Sequence, residues 1–241
     1  MGEFVKRGWI VRWSLALVGL FFLWGDAAFA ARPMITDDAR VVDTGACQLE
    51  TWFKGQQGSD EYWAVPACSP TDWLEITAGA GFLLKEGVLR TSGDSALLQV
   101  KTLLKRLPDS GPGWGVGWVV GSLSREHEPS DLLGSYYTYT PISLTLGEEV
   151  ILHINPGWLH ERNPGRSAFT WGMGTEINLA PRLQAIAETF GEEGAGNYYQ
   201  GGLRLWIVPD HIQLDTTYGN RFSGGEGWWT VGLRLISKRL F

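Results

Sequence analysis

Beyond residue 30 the sequence lacks any apolar run near the roughly 18 to 20 residues that a membrane-spanning helix needs, so no helix from that region is expected to cross a bilayer. Cysteine is scarce: Cys47 and Cys68 are the only two, in no CxxC pair and without metal-ligand spacing. Positive charge is short as well. Lys and Arg number 20 against 26 Asp and Glu, a net charge of −6, and no basic cluster occurs, which excludes nucleic acid as an expected partner. HExxH, GxSxG, P-loop and CxxCH motifs are all missing, so neither a metal nor any other cofactor is implied. Asp37-Asp38 and Glu192-Glu193 lack the ligand spacing of a calcium loop and read as solvated charges. The histidines are His127, His153, His160 and His211. His153 and Asn155 share a strand face, but no serine follows in a matching position and no Ser/His/Asp set is visible. The chain therefore reads as a non-enzyme, with a barrel-embedded hydrolase as the third functional reading.

What is present begins with a secretory signal. Lys6, Arg7 and Arg12 precede an apolar stretch from Leu15 to Trp24, and Ala28-Phe29-Ala30 supplies a small-x-small cleavage site. Residues 1–30 are thus expected to be removed. They contribute three basic and two acidic side chains, so the remainder carries −7. Residues 31–44 show no clean period and are expected to form an irregular leader, periplasmic or plug-like. Glycine, at 32 residues, is nearly double its usual share of about 7%, and tryptophan reaches 13. Glycines facing a crowded interior and tryptophans at lipid–water boundaries account for both.

The last forty residues read as three strands of strict period two. Leu203, Leu205 and Ile207 alternate with Gly202, Arg204 and Trp206, and the next two strands repeat the pattern. Val208-Pro209-Asp210 joins the first two, whereas Gly219 to Gly227 is long and glycine-rich. Short and long connections taking turns is the wiring of a membrane barrel. Near the start, Cys47 to Lys54 and Glu61 to Cys68 fold back on each other. One register sets Lys54 opposite Glu61, Phe53 opposite Tyr62, Trp52 opposite Trp63 and Cys47 opposite Cys68. Secretion into an oxidising compartment then predicts a Cys47–Cys68 disulfide.

Elsewhere the alternation continues through Leu74 to Phe82, Gly113 to Gly121, Tyr136 to Leu146, Val150 to Asn155 and Phe169 to Glu176. Leu98 to Leu104 and Leu183 to Thr189 fit either strand or short helix. Ser69 to Asp72 reads as a tight turn, and Ser122 to Gly134 and Pro156 to Arg166 as long loops. The expectation is an all-β chain: an antiparallel, up-and-down transmembrane β-barrel of about 12 strands over residues 45–241, with both termini in the periplasm and the long loops outside.

Inward-facing parity selects lumen-lining candidates of mixed sign: Glu50, Lys54, Glu61, Glu75, Lys101, Glu176, Arg182, Glu188, Arg204, Asp215 and Arg234. Trp52, Trp63 and Trp206 share that parity and are candidates for stacking against a solute. Such charges either select solutes in an open conduit or pair with one another and block it. A barrel of ~12 strands lies between filled eight-stranded and open 16-stranded examples, so size leaves both open.

The segments RPMITDDA, WGVGWVVG, AFTWGMG, LRLWIVPDHIQLDTTYG and GWWTVGLRL together resemble bacterial outer-membrane proteins named for a MetA pathway of phenol degradation. The resemblance implies a link to uptake of aromatic compounds. The terminal Phe241 is similar to the signal read by the outer-membrane barrel-assembly machinery, although alternation breaks at Ser237 and Arg239. The expected function is a passive outer-membrane channel of a Gram-negative bacterium for small solutes, with a non-conducting structural or binding barrel as the alternative.

Overall fold

The computed structural model describes residues 34–85, 94–124, 134–147, 149–162 and 165–240. The signal segment, Phe241 and most of the acidic loop between Ser122 and Gly134 lie outside them. The strands are β1 (Cys47–Gln56), β2 (Ser59–Thr71), β3 (Leu74–Lys85), β4 (Asp94–Lys105), β5 (Gly113–Ser124), β6 (Ser135–Tyr139), β7 (Ile142–Leu146), β8 (Val150–Glu161), β9 (Arg166–Ala180), β10 (Leu183–Glu192), β11 (Gly196–Val208), β12 (Ile212–Arg221) and β13 (Trp228–Ile236). Among the described residues there is no helix.

Apart from β6 and β7, each strand pairs antiparallel with its chain neighbours, and β1 pairs with β13 from Gln48 opposite Ile236 to Gln56 opposite Trp228. The sheet therefore closes on itself. The short β6 and β7 both lie between β5 and β8, so they are two halves of one stave and the barrel has twelve. Thr140 and Pro141 interrupt that stave. Pro141 has no N–H to give to the ladder. Its carbonyl nonetheless accepts from the Gly117 N–H at 2.9 Å, and the Thr140 N–H donates to the Pro156 carbonyl at 3.0 Å, so the wall stays hydrogen-bonded across the break.

The burial pattern is that of a globular protein turned inside out. Ile76, Val100, Trp118, Val120, Met173, Leu203, Leu205, Leu214 and Val231 are exposed, while Lys54, Glu75, Lys101, Glu176, Glu188 and Asp215 are buried. An apolar belt of that extent, facing away from every packed element, is solvated by hydrocarbon rather than by water. The uninterrupted strands run from 9 to 15 residues, enough for the ~9–11 that a tilted transmembrane strand requires.

One reading left open by the sequence is resolved and three expectations are corrected. Leu98 to Leu104 and Leu183 to Thr189 are strand throughout, because both β4 and β10 have ladder partners on each side. Strand β2 continues through Ser69 and Pro70, and the turn falls at residues 72–73. Strand β8 carries on past Pro156 to Glu161, leaving residues 162–165 where a long loop was expected. Its proline sits where β6 gives way to β7, which is where a missing donor costs the ladder least. Loop lengths are also less sorted than expected, because residues 57–58 alone make the first hairpin, with Gly58 at φ +79°.

The hairpin register is as read from the sequence, and Cys47 and Cys68 are joined by a disulfide. The leader takes the plug-like of the two positions left open for it. Residues 34–46 are irregular, but they lie inside the ring of strands rather than below it. Met34, Thr36, Asp37, Ala39 and Val42 are buried against the inner wall.

Candidate functional site

The lumen divides into two halves. Towards the end holding Gln56 and Trp228, here the loop end, it is filled by side chains of the wall itself. Trp52 and Trp63 stack with centroids 5.8 Å apart and planes 10° from parallel. Val65, Leu97, Leu123 and Tyr137 pack around them. Gly81 makes this possible, since a Cβ there would run into the Trp63 indole. Across the bore, Phe190, Tyr198 and Trp228 form a second aromatic group with centroid separations of 5.5 to 6.4 Å. Lys54 lies between the two, its Nζ 3.6 Å from Glu61 and 5.4 Å from the centre of the Trp228 ring.

Towards the end holding Cys47 and Ile236, the terminal end, the wall is ionic and the space is occupied by residues 34–46. Glu188 accepts the N–H groups of both Ile35 (2.7 Å) and Thr36 (2.6 Å). Ser143 Oγ accepts the Ala39 N–H at 2.8 Å, and Glu75 the Val42 N–H at 3.3 Å. Lys101 is buried; its Nζ donates to Asp37 Oδ1 at 2.8 Å and to the carbonyls of Asp38 (3.2 Å) and Arg40 (3.1 Å). The other Asp37 oxygen accepts from the Tyr139 hydroxyl at 2.9 Å. With its amide turned to satisfy both ends, Asn155 accepts the Asp37 N–H at 2.6 Å and donates to the Asp37 carbonyl at 3.0 Å.

A chain of ion pairs continues around the wall. Glu176 meets Arg204 at 2.5 Å and Arg40 of the leader at 3.6 Å, and Arg204 meets Asp215 at 3.1 Å. Arg234 lies 3.6 Å from Glu50 and donates to Gln48 at 2.8 Å. Opposite signs alternate along this chain, so the wall neutralises itself and the leader together. A cavity of about 60 Å³ remains between the leader and the wall, bordered by Asp38, Glu50, Glu176, Arg204 and Arg234 among others.

Of the sequence candidates, Glu50, Trp52, Lys54, Trp63, Glu75, Lys101, Glu176, Glu188, Arg204, Asp215 and Arg234 have the inward parity expected, and Glu61 is half-buried beside Lys54. Arg182 does not line the lumen. It is exposed in the two-residue turn between β9 and β10, where strand parity no longer applies. Sequence reasoning passed over Ser143, Tyr139 and Gln99, and it read Asp37 and Glu192 as solvated charges, whereas both are buried, Asp37 against Lys101 and Tyr139 and Glu192 against Arg166. Ser143 was findable: it alternates with Ile142 and Leu144, and the ladder sets it directly opposite His153.

That pairing has a chemical look. Ser143 Oγ is 2.8 Å from His153 Nδ1, and His153 Nε2 is 3.7 Å from Glu176. Serine, histidine and carboxylate thus stand in line, contrary to the sequence reading that no such set exists. The Ser143 hydroxyl, however, is fully buried under the leader and already accepts its Ala39 N–H.

The chain belongs to the family described as Uncharacterised conserved protein UCP029691, whose model matches residues 19–236. No curated relative matches it in sequence. Among solved structures it is similar to the KdgM porin, at a TM-score of 0.58 and 7% identity over 78% of this chain and 98% of that one. The NanC porin gives 0.59 and 9% over 78% and 98%. The COG4313 outer membrane channel from Pseudomonas putida F1 gives 0.58 and 12% over 85% and 98%. At such identities the likeness is one of fold, and the fold is the outer-membrane β-barrel.

Proposed function

We propose that this protein is a passive outer-membrane channel for small solutes, held closed at rest by its own residues 34–46. The observation that carries this reading is the terminal half of the lumen: a transmembrane wall whose buried ions face a separate stretch of chain rather than a packed core. Porins and channels of the same fold support it. In this reading residues 1–30 direct export to a Gram-negative envelope, both chain termini face the periplasm, outer-membrane lipid surrounds the belt, and Phe241 addresses the assembly machinery. An aromatic solute, implied by the family resemblance, has the loop-end tryptophans as its natural contact.

A disulfide engineered between the leader and the wall tests the gate in the intact chain. The double variant Ala39→Cys/Ser143→Cys is expected to pass no current in planar bilayers when oxidised and to conduct when reduced, with the wild-type chain under the same reductant as control. Unchanged current in the locked state would show that the leader is no gate. Silence in both states at every voltage would remove the channel.

A second reading, a barrel-embedded hydrolase, is favoured by one observation only, the alignment of Ser143, His153 and Glu176. It requires the same departure of the leader to uncover the hydroxyl.

A further inference from the structure

How the wall holds residues 35–42 goes beyond plugging. Seven of these eight residues have a main-chain group bonded to a wall side chain: Ile35 and Thr36 to Glu188, Asp37 to Asn155, Asp38 and Arg40 to Lys101, Ala39 to Ser143, and Val42 to Glu75. Recognition of the main chain is indifferent to most side chains, and its affinity comes from the repeated N–H and C=O groups. Side chains are read as well, Arg40 by Glu176 at 3.6 Å and, more closely, Asp37. The Asp37 carboxylate is taken by Lys101 and Tyr139.

The wall is also cut back to admit the peptide. A Cβ on Gly174 would sit 2.7 Å from the Met34 methyl carbon and 3.2 Å from Thr36 Cβ, and one on Gly172 would sit 2.8 Å from the Thr36 hydroxyl. Both glycines lie in the middle of β9, where glycine weakens a strand unless another chain must approach closely.

We infer that the terminal half of the lumen is a binding track for the main chain of an acidic peptide, and that the leader, bent at residues 35, 36 and 39, is its resident occupant. The cargo of the channel is then peptide of the same chemistry, which takes the track when the leader leaves it. This rests on the channel reading, and the two can fail separately.

The test uses the full chain with Ala39→Pro, which removes the N–H given to Ser143 and loosens the leader without cutting it away. A labelled nonapeptide of residues 34–42, Met-Ile-Thr-Asp-Asp-Ala-Arg-Val-Val, is titrated against this variant by anisotropy and by block of bilayer current. The peptide is expected to bind and to block. Its affinity should fall at least tenfold when Glu188→Gln is added, and likewise when Gly174→Ala is added, a change that favours the strand itself. Replacing Asp by Asn at the peptide's fourth position should also weaken it. No binding to a variant that conducts overturns the inference and leaves the channel standing, as does a uronate oligosaccharide that binds as tightly as the peptide. A variant that passes no current before any peptide is added removes the channel instead, while anisotropy still decides the track.

Discussion

The two halves of this lumen are built from the same strands and the same inward parity, yet they are filled in opposite ways. At the loop end the wall fills itself, with Trp52, Trp63, Val65 and Leu123 buried against one another and no second segment needed. At the terminal end the wall presents Glu75, Lys101, Glu176 and Glu188 to a segment that enters from outside the sheet. Apolar burial is favourable wherever it occurs. Buried ion pairs roughly break even against their desolvation. An apolar filling therefore holds the barrel in one shape, whereas an ionic filling specifies its occupant closely while stabilising it modestly. The loop-end half is a core, and the terminal-end half is a site.

The comparison breaks first if the loop end is not a core. Trp52→Ala removes one of the two stacked indoles and leaves a cavity between Trp63 and the wall. It is expected to destabilise barrel unfolding by about 3 to 5 kcal/mol, measured by denaturant titration of the folded band. Resting conductance should not rise, because the leader is untouched. A small loss of stability with a large rise in current would reverse the roles assigned to the halves.

Lys101→Met sharpens the other side. In a closed core, removing one partner of a buried pair strands the remaining charge and destabilises the whole fold. Here the stranded group is Asp37, which belongs to the leader and can regain water by undocking. The expected loss is therefore local: about 2 kcal/mol of leader docking, roughly thirtyfold in the docked-to-free ratio. Single-channel recording should show it as raised open probability, while the unfolding midpoint moves far less than for Trp52→Ala. A fall in global stability matching that variant would show that the leader is part of the core.

The first half was legible in the sequence and the second only in part, for a physical reason. Period-two alternation reports which face of a strand a residue occupies, and cross-strand pairing then fixes Lys54 against Glu61 and Trp52 against Trp63. Nothing in parity reports what the inward face will touch across the bore. Glu188 and Lys101 were found as inward charges, but that they bind residues 35–40 depends on a segment with no period of its own. Arg182 was misplaced because parity was carried into a turn. Gly172 and Gly174 were the one available hint, since paired glycines inside a long strand signal close approach of another chain.

The smallest expected effect also separates the site from an enzyme. Ser143→Ala removes the acceptor of the Ala39 N–H and the partner of His153 Nδ1, while keeping the strand and every charge in place. One neutral hydrogen bond contributes about 1 kcal/mol, so leader docking should weaken roughly fivefold, well below the change from Lys101→Met. If Ser143 were instead a nucleophile, the same substitution would leave gating nearly unaltered and abolish ester hydrolysis. The geometry favours the first outcome. The serine oxygen is engaged by a main-chain donor at 2.8 Å, and Glu176, which would have to orient the histidine, is closer to Arg204 than to His153. A carboxylate held at 2.5 Å by a guanidinium offers an imidazole 3.7 Å away little orientation, so Ser143 and Glu176 serve to grip Ala39 and Arg40 of the leader. Detectable lipid or ester turnover by the wild-type chain, lost in Ser143→Ala, would overturn that assignment and make the terminal half catalytic.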